Sequence, residues 1–142
     1  MLHSFTYNIT IEEMKKLLIV DDDLAFSFQL EQLFKDSYDI DKSVDGMGAL
    51  GKINDQLYDC IILDIDILGG VDGYEVLKGI KGQSKTKRIP VIVLTNAGYE
   101  KKDSFMKMGA DEYFVKGETS MEDLESVVAK WINSPVRTSE ED

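Results

Sequence analysis

Five polar side chains stand where apolar runs of this sequence end, and together they could hold a metal ion and a phosphoryl group. Asp21 and Asp22 follow the first run, Asp64 follows the second, Thr95 ends the third and Lys116 follows the fourth. If these runs are parallel strands of one sheet, the side chains meet at its carboxyl edge, where open α/β sheets hold their ligands. The spacing therefore predicts one pocket that contains three acids, a hydroxyl and an amine.

Three carboxylates in one pocket repel one another, so the pocket needs either a shared proton or a divalent cation. Oxygen ligands without nitrogen or sulfur favour magnesium (Mg2+), which leaves positions open for phosphate oxygens. Asp64 is the predicted nucleophile because an aspartate can form an acyl phosphate, and Lys116 and Thr95 would each contact a phosphate oxygen. The structural alternative is that Asp21 to Asp23 only cap a helix, but acids, threonine and lysine in this order on successive strands argue against it.

The elements that must position these side chains alternate along the chain. Apolar runs separated by helical patterns predict βα units, and therefore a parallel sheet covered by helices on both faces. Predicted strands cover 16–20, 38–44, 59–63, 90–95 and 113–115, and predicted helices cover 24–35, 47–55, 73–81 and 100–108. A last helix is predicted to begin at a capping box of Thr119 and Glu122.

The length of 142 residues fits one domain. Residues 1–14 are predicted to be either a disordered leader or a short helix. Residues 134–142 are predicted to form an acidic disordered tail, because their composition cannot bury enough apolar surface.

Composition and charge exclude several classes of function. The net charge of −11 argues against nucleic acid as a partner, because duplex binding relies on basic groups. The sequence has no signal peptide and no run of 18 apolar residues, which predicts a cytoplasmic protein without membrane contact. The lone Cys60 is expected to fill the core. Since the single histidine, His3, lies in the leader, any phosphoryl donor must be another molecule.

Several stretches together resemble the receiver domain of two-component response regulators, over about residues 15–133. They are LLIVDDD at 17–23, CIILD at 60–64, DGYEVL at 72–77, PVIVLT at 90–95 and GADEYFVK at 109–116. The resemblance implies an α/β fold of the flavodoxin-like type, doubly wound, with five helices and five parallel strands in the order 2-1-3-4-5.

The same resemblance implies a chemistry and its partners. A phosphoryl group would pass from the histidine of a sensor histidine kinase or a phosphotransfer protein to Asp64, with Mg2+ as cofactor. Asp21 and Asp22 would be the acid pair, and Asp22, Asp64 and the backbone carbonyl of Asp66 would hold the ion. Such a domain catalyses its own phosphorylation and dephosphorylation and is not otherwise an enzyme.

The resemblance to receiver domains also implies a conformational switch. Thr95 would move towards the phosphoryl group, and Tyr113 would exchange an exposed rotamer for a buried one. The signal would then appear on the face formed by helix four, strand five and helix five, where an unknown protein target binds. The alternative for Tyr113 is an ordinary core tyrosine.

The sequence departs from the family pattern at three places. Leu68 stands where a proline is usual, and Gly69–Gly70 adds one residue, so the loop near the metal should differ in shape. Asn96 replaces a very small residue, which predicts a partly screened site and an altered phosphate lifetime. Gly117 replaces a proline, so the loop after Lys116 should be looser.

Three functions remain open from the sequence. The first is a stand-alone response regulator that switches partner binding, since no output domain follows residue 133. The second is a receiver-like binding module that is not phosphorylated in normal use. The third is a phosphatase of the haloacid-dehalogenase type, because Asp64-Ile65-Asp66 after an apolar strand resembles the first motif of that family, although the other acids precede it here.

Overall fold

The computed structural model describes Thr10 and residues 13–134. Its strands are β1 (Lys16–Val20), β2 (Asp39–Ser43), β3 (Cys60–Leu63), β4 (Val91–Thr95) and β5 (Glu112–Val115). Its helices are α1 (Leu24–Phe34), α2 (Gly46–Asp55), α3 (Gly73–Lys81), α4 (Lys102–Lys107) and α5 (Met121–Ile132), with a 3-10 turn at Tyr99–Lys101 before α4. All paired strands are parallel, in the order β2-β1-β3-β4-β5. The predicted flavodoxin-like topology is therefore confirmed.

The core consists of two apolar layers, one on each face of the sheet. Successive residues of β1 alternate between them: Leu18 packs with the residues under α2, α3 and α4, whereas Leu17 packs with those under α1 and α5. Strands β1, β3 and β4 are buried along both faces, which is why their sequences are continuous apolar runs. Cys60 is fully buried in β3, as expected for a core residue.

Aspartates cap the three helices that follow β1, β2 and β3 along the chain. The side chains of Asp23, Asp45 and Asp72 accept backbone N–H groups in the first turns of α1, α2 and α3. The capping alternative raised for the first acid cluster is thus correct for Asp23. Asp21 and Asp22 make different contacts, described below.

A close backbone approach places α3 against the end of β3. A Cβ atom on Gly73 would clash with Ile65 Cα and would lie 2.8 Å from the carbonyl oxygen of Asp64. Only glycine fits there without displacing one of the two segments. The DG pair at 72–73 therefore fixes the loop that leaves Asp64.

The predicted element boundaries need small corrections, and one predicted cap is wrong. Helix α5 is capped by Ser120, whose Oγ accepts the N–H of Asp123 at 3.0 Å. Thr119 instead donates its hydroxyl to the carbonyl of Val115 at 3.0 Å, which closes the turn after β5. The predicted helix 100–108 is a 3-10 turn followed by the short α4.

The termini contribute little to the description. Thr10 donates its N–H to Glu13 Oε2 at 3.0 Å, and most of the predicted leader and the tail beyond Ser134 lie outside the described residues. No helix within the described part of the chain is both long and apolar enough to cross a bilayer.

Candidate functional site

Three of the predicted carboxylates converge at the carboxyl edge of the sheet. Oxygens of Asp21, Asp22 and Asp64 lie within 4.8 Å of one another. Asp21 and Asp64 are buried and Asp22 is half-buried. They meet because β1 and β3 are parallel neighbours in register, with Val20 opposite Leu63. The sequence prediction of an acid cluster is confirmed in space.

Lys116 reaches into this cluster from the end of β5. Its Nζ lies 2.7 Å from Asp21 Oδ2 and 3.1 Å from Asp64 Oδ2, and its side chain is only 6% exposed. The backbone N–H of Lys116 donates to the carbonyl of Thr95 at 2.8 Å, which ties the lysine to the end of β4. Side chains from the ends of β1, β3 and β5 thus meet at one point, and the contact predicted for the Thr95 hydroxyl stays a prediction.

The electrostatics of the cluster favour an added cation. Burial raises the pKa of the Asp21 carboxyl, and the hydrogen bond from Lys116 acts in the opposite sense. Burial alone lowers the pKa of Lys116, but hydrogen bonds and charges from Asp21 and Asp64 outweigh it and raise this pKa. Lys116 is therefore an ammonium at neutral pH, and this one positive charge contacts two members of a cluster of three acids.

Backbone N–H groups orient each acid. The N–H of Asp23 donates to Asp21 Oδ1 at 2.9 Å, and that of Asp66 donates to Asp64 Oδ1 at 3.0 Å. The N–H of Leu68 donates to Asp22 Oδ2 at 3.1 Å. Such bonds hold the carboxylates in fixed directions, as hydrogen-bond partners of metal-binding side chains do.

The donor set fits magnesium by its chemistry. Asp21, Asp22 and Asp64 offer only hard oxygen atoms, with no histidine or thiol in the cluster. Asp66 is exposed and lines an adjoining cavity of about 580 Å³. The role predicted for its backbone carbonyl stays a prediction.

Thr95 and Tyr113 occupy the positions expected of the switch pair. Thr95 is fully buried at the end of β4, and its Oγ1 accepts the N–H of Ala97 at 3.2 Å. Tyr113 is 2% exposed, and its hydroxyl donates to the carbonyl of Gly98 at 2.7 Å. Tyr113 thus has the buried rotamer here, and the exchange predicted for it stays a prediction.

Asn96 lies beside the cluster, as its position after Thr95 required. It is exposed and lines a cavity of about 330 Å³ that Lys116 and Phe26 also line. Its effect on the lifetime of a phosphoryl group is still a prediction.

Sequence reasoning missed one contact of the site. The Phe26 ring lies over Lys116 Nζ, 4.4 Å from centroid to nitrogen. The helical pattern assigned Phe26 to the apolar face of α1. Nothing in its spacing distinguishes it from a core residue, and only the placement of the first turns of α1 brings the ring to the lysine.

The loops that depart from the receiver pattern have distinct geometries. Gly69 has φ of 110°, a conformation that favours glycine, and it follows Leu68, which is 78% exposed. A Cβ atom on Gly117 would meet no other atom within 4 Å, so no packing braces that position. The altered shape and the looseness predicted for these two loops stay predictions.

Known proteins with similar sequences are response regulators. A family model described as the response regulator receiver domain matches residues 17–129. Response regulator ArlR of Staphylococcus saprophyticus is 36% identical over 110 residues, covering 72% of this chain and 46% of ArlR. The regulatory protein PhoB of Rhizobium meliloti is 32% identical over 105 residues, covering 72% of this chain and 46% of PhoB. The chain spans less than half the length of these curated relatives.

Solved structures give the same result for the fold. A putative response regulator from Chloroflexus aurantiacus has a TM-score of 0.78 at 28% identity, covering 85% of this chain and 99% of that one. The receiver domain of a sensor histidine kinase from Pseudomonas aeruginosa has a TM-score of 0.75 at 25% identity, covering 85% and 99%. The latter holds a magnesium ion in its active site cleft, which supports the predicted choice of metal.

Fold, acid cluster and sequence matches agree. The family assignment leaves the haloacid-dehalogenase alternative without support. The chain belongs to the receiver domain family of two-component response regulators.

Proposed function

We propose that this chain is a phosphorylation-controlled receiver in which Asp64 accepts a phosphoryl group from a phosphohistidine. The observation that carries the proposal is the buried ammonium of Lys116, held at 2.7 Å from Asp21 and 3.1 Å from Asp64 beside Asp22. A lysine bound to a nucleophilic carboxylate and its acidic neighbour is ready to bind a phosphate oxygen.

The proposed reaction is an in-line displacement. An Oδ atom of Asp64 attacks phosphorus, the bond from phosphorus to the histidine nitrogen breaks, and the freed imidazole takes a proton from solvent. The product is an acyl phosphate on Asp64. Negative charge develops on the phosphoryl oxygens, and the Lys116 ammonium and the Thr95 hydroxyl would stabilise it.

A bound Mg2+ would supply the remaining charge neutralisation. Asp22 and Asp64 would be its carboxylate ligands with the Asp66 carbonyl, and Asp21 would complete the acid pair. Support comes from the all-oxygen cluster and from the backbone donors that orient it.

The proposed consequence of phosphorylation is a change of partner binding. Thr95 would turn its hydroxyl from the Ala97 N–H towards the phosphoryl group, and the Tyr113 side chain would follow. The altered face would be the one formed by α4, β5 and α5. The donor would be a sensor histidine kinase or a phosphotransfer protein, and the downstream target is a protein that the sequence does not identify.

Incubation with acetyl phosphate and Mg2+, followed by intact-protein mass spectrometry, tests the proposal. We expect a gain of one phosphoryl group in the wild type and in the control variant Asp36→Asn, whose exposed acid lies in the turn after α1. Asp64→Asn should gain nothing. No gain in the wild type would contradict the proposal and favour the non-phosphorylated binding module.

That the receiver acts without an output domain stays a prediction. An immunoblot of cell extracts with an antibody against this domain gives the size of the whole protein and therefore tests this prediction. A band much larger than 16.0 kDa would contradict it.

A further inference from the structure

The ammonium of Lys116 is enclosed by two carboxylates and one aromatic ring. Asp21 and Asp64 contact the nitrogen directly, and the Phe26 ring centroid lies 4.4 Å from it. The face of an aromatic ring attracts a cation, and the attraction is stronger where water is excluded. Lys116 meets that condition because its side chain is 6% exposed.

The segment after Lys116 gives this side chain little support. The Cβ position of Gly117 faces open space. Two hydrogen bonds to the Val115 carbonyl, from the Glu118 N–H and the Thr119 hydroxyl, close the turn without touching the lysine side chain. The direction of the ammonium therefore depends on the groups around it.

The ring is held in a fixed place relative to the acids. Phe26 donates its backbone N–H to the Asp23 carboxylate at 3.1 Å, and Asp23 donates its own N–H to Asp21 Oδ1 at 2.9 Å. The carboxylate and the ring that contact Lys116 are thus linked through one helix cap. A shift of the start of α1 would move both together.

We propose that Phe26 is a positioning residue, which holds the Lys116 ammonium against Asp64 during phosphoryl transfer. The inference rests on the proposed function above. When Asp64 takes a phosphoryl group, the ammonium exchanges its Asp64 contact for a phosphate oxygen. The contact with the Phe26 ring persists during that exchange. It therefore keeps the Lys116 nitrogen in place while the nitrogen changes its contact from Asp64 to the phosphate oxygen. Small misplacements of such a group cost large factors in rate.

Matched variants test the role of the ring. Phe26→Leu removes the aromatic face, Phe26→Tyr keeps it, and Phe34→Leu makes the same change at the buried far end of α1. With acetyl phosphate and saturating Mg2+, we expect the maximal phosphorylation rate of Phe26→Leu to fall roughly three- to tenfold. The half-saturating concentration of acetyl phosphate should change little, and Phe26→Tyr should stay within about twofold of the wild type. Phe34→Leu should lower the melting temperature but not the rate.

Nuclear magnetic resonance gives a readout that does not need the reaction. Protons on the Lys116 Cε should be shifted upfield by the ring current in the wild type and in Phe26→Tyr, and this shift should vanish in Phe26→Leu. An absent shift in the wild type, or an unchanged rate in Phe26→Leu, would overturn the proposal. If the wild type takes up no phosphoryl group, the proposed function fails, and the ring-current comparison alone then decides whether Phe26 positions Lys116.

Discussion

Two lysines that are largely shielded from solvent lie at opposite edges of the sheet, and they differ in the charges around them. Lys81, at the end of α3, donates to the carbonyls of Lys87 and Ile89 and pairs with Asp111 Oδ2 at 3.3 Å. Lys116, at the end of β5, contacts Asp21 and Asp64, and the Asp22 carboxylate lies near these two acids. The partners of the first ammonium include one carboxylate and two neutral carbonyls. At the second lysine two carboxylates contact the ammonium, and a third carboxylate lies beside them.

This difference in surrounding charge distinguishes a lysine with a structural role from a lysine at a reactive site. The Lys81 contacts join the end of α3 to the segment before β4, and Asp111 in turn accepts the N–H of Val91 at 2.8 Å. Such an arrangement stabilises the packing of strands and helices without any added ion. The Lys116 cluster keeps excess negative charge in a buried place, which costs free energy until a cation binds.

The largest expected effect tests whether the Lys81 contacts are structural. Lys81→Met should lower the free energy of unfolding by about 3 to 5 kcal/mol, because it removes one partner of a largely shielded ion pair and two hydrogen bonds to backbone carbonyls. Urea unfolding followed by the fluorescence of the single tryptophan, Trp131, measures it. The control is Lys78→Met, an exposed lysine on the same helix, which should change little. Equal stabilities of the two variants would contradict the structural role.

Substitution of the second lysine tests whether Lys116 takes part in phosphoryl transfer. Lys116→Met should slow phosphorylation by acetyl phosphate about a hundredfold, because it removes a charged donor from the site of developing negative charge. The phosphorylation rate of Lys81→Met should stay within about twofold of the wild-type rate under conditions in which that variant is folded. The initial rate of mass gain measures both. A similar loss of rate in the two variants would remove the proposed distinction between the lysines.

The sequence predicted both the topology and the acid cluster, for a physical reason. Parallel strands buried on both faces leave continuous apolar runs, and the residues at their carboxyl ends must meet at one edge. Asp21, Asp64 and Lys116 could therefore be placed before any coordinates were known. The contact of the Phe26 ring with Lys116 could not be predicted, because it depends on the three-dimensional placement of α1 and not on a local pattern.

Local hydrogen bonding explains the one cap that was wrong. Thr119 and Ser120 are adjacent hydroxyl residues, and either could begin α5 by its sequence pattern. The turn after β5 uses the Thr119 hydroxyl at the Val115 carbonyl, so Ser120 becomes the cap. That choice follows from the path of the loop, which sequence spacing does not encode.

The third prediction concerns the stabilisation of the acid cluster by a bound cation. Mg2+ at ten times its dissociation constant should raise the free energy of unfolding of the wild type by about 1.4 kcal/mol. Asp22→Asn should lose most of this gain because one carboxylate ligand becomes a neutral amide. Thermal unfolding in MgCl2, against NaCl of equal ionic strength, separates metal binding from screening. An equal gain in Asp22→Asn would show that the ion binds elsewhere.

The smallest expected effect concerns the loop in which this chain departs from other receivers. Leu68 donates its N–H to Asp22 Oδ2 at 3.1 Å, a bond that a proline at this position cannot make. Leu68→Pro should therefore weaken Mg2+ binding about fivefold, the equivalent of one lost hydrogen bond of about 1 kcal/mol.

The matched control for that substitution is Leu68→Ala, which keeps the N–H and removes a side chain that is already 78% exposed. Titration calorimetry with MgCl2 compares the two variants. If Leu68→Pro binds the ion as tightly as Leu68→Ala, the N–H of Leu68 does not orient Asp22 for metal binding. If only Leu68→Pro binds Mg2+ more weakly, the hydrogen bond from the Leu68 N–H to Asp22 contributes to metal binding. In that case the loop after Asp64 is held by this hydrogen bond, where a proline would restrict the backbone.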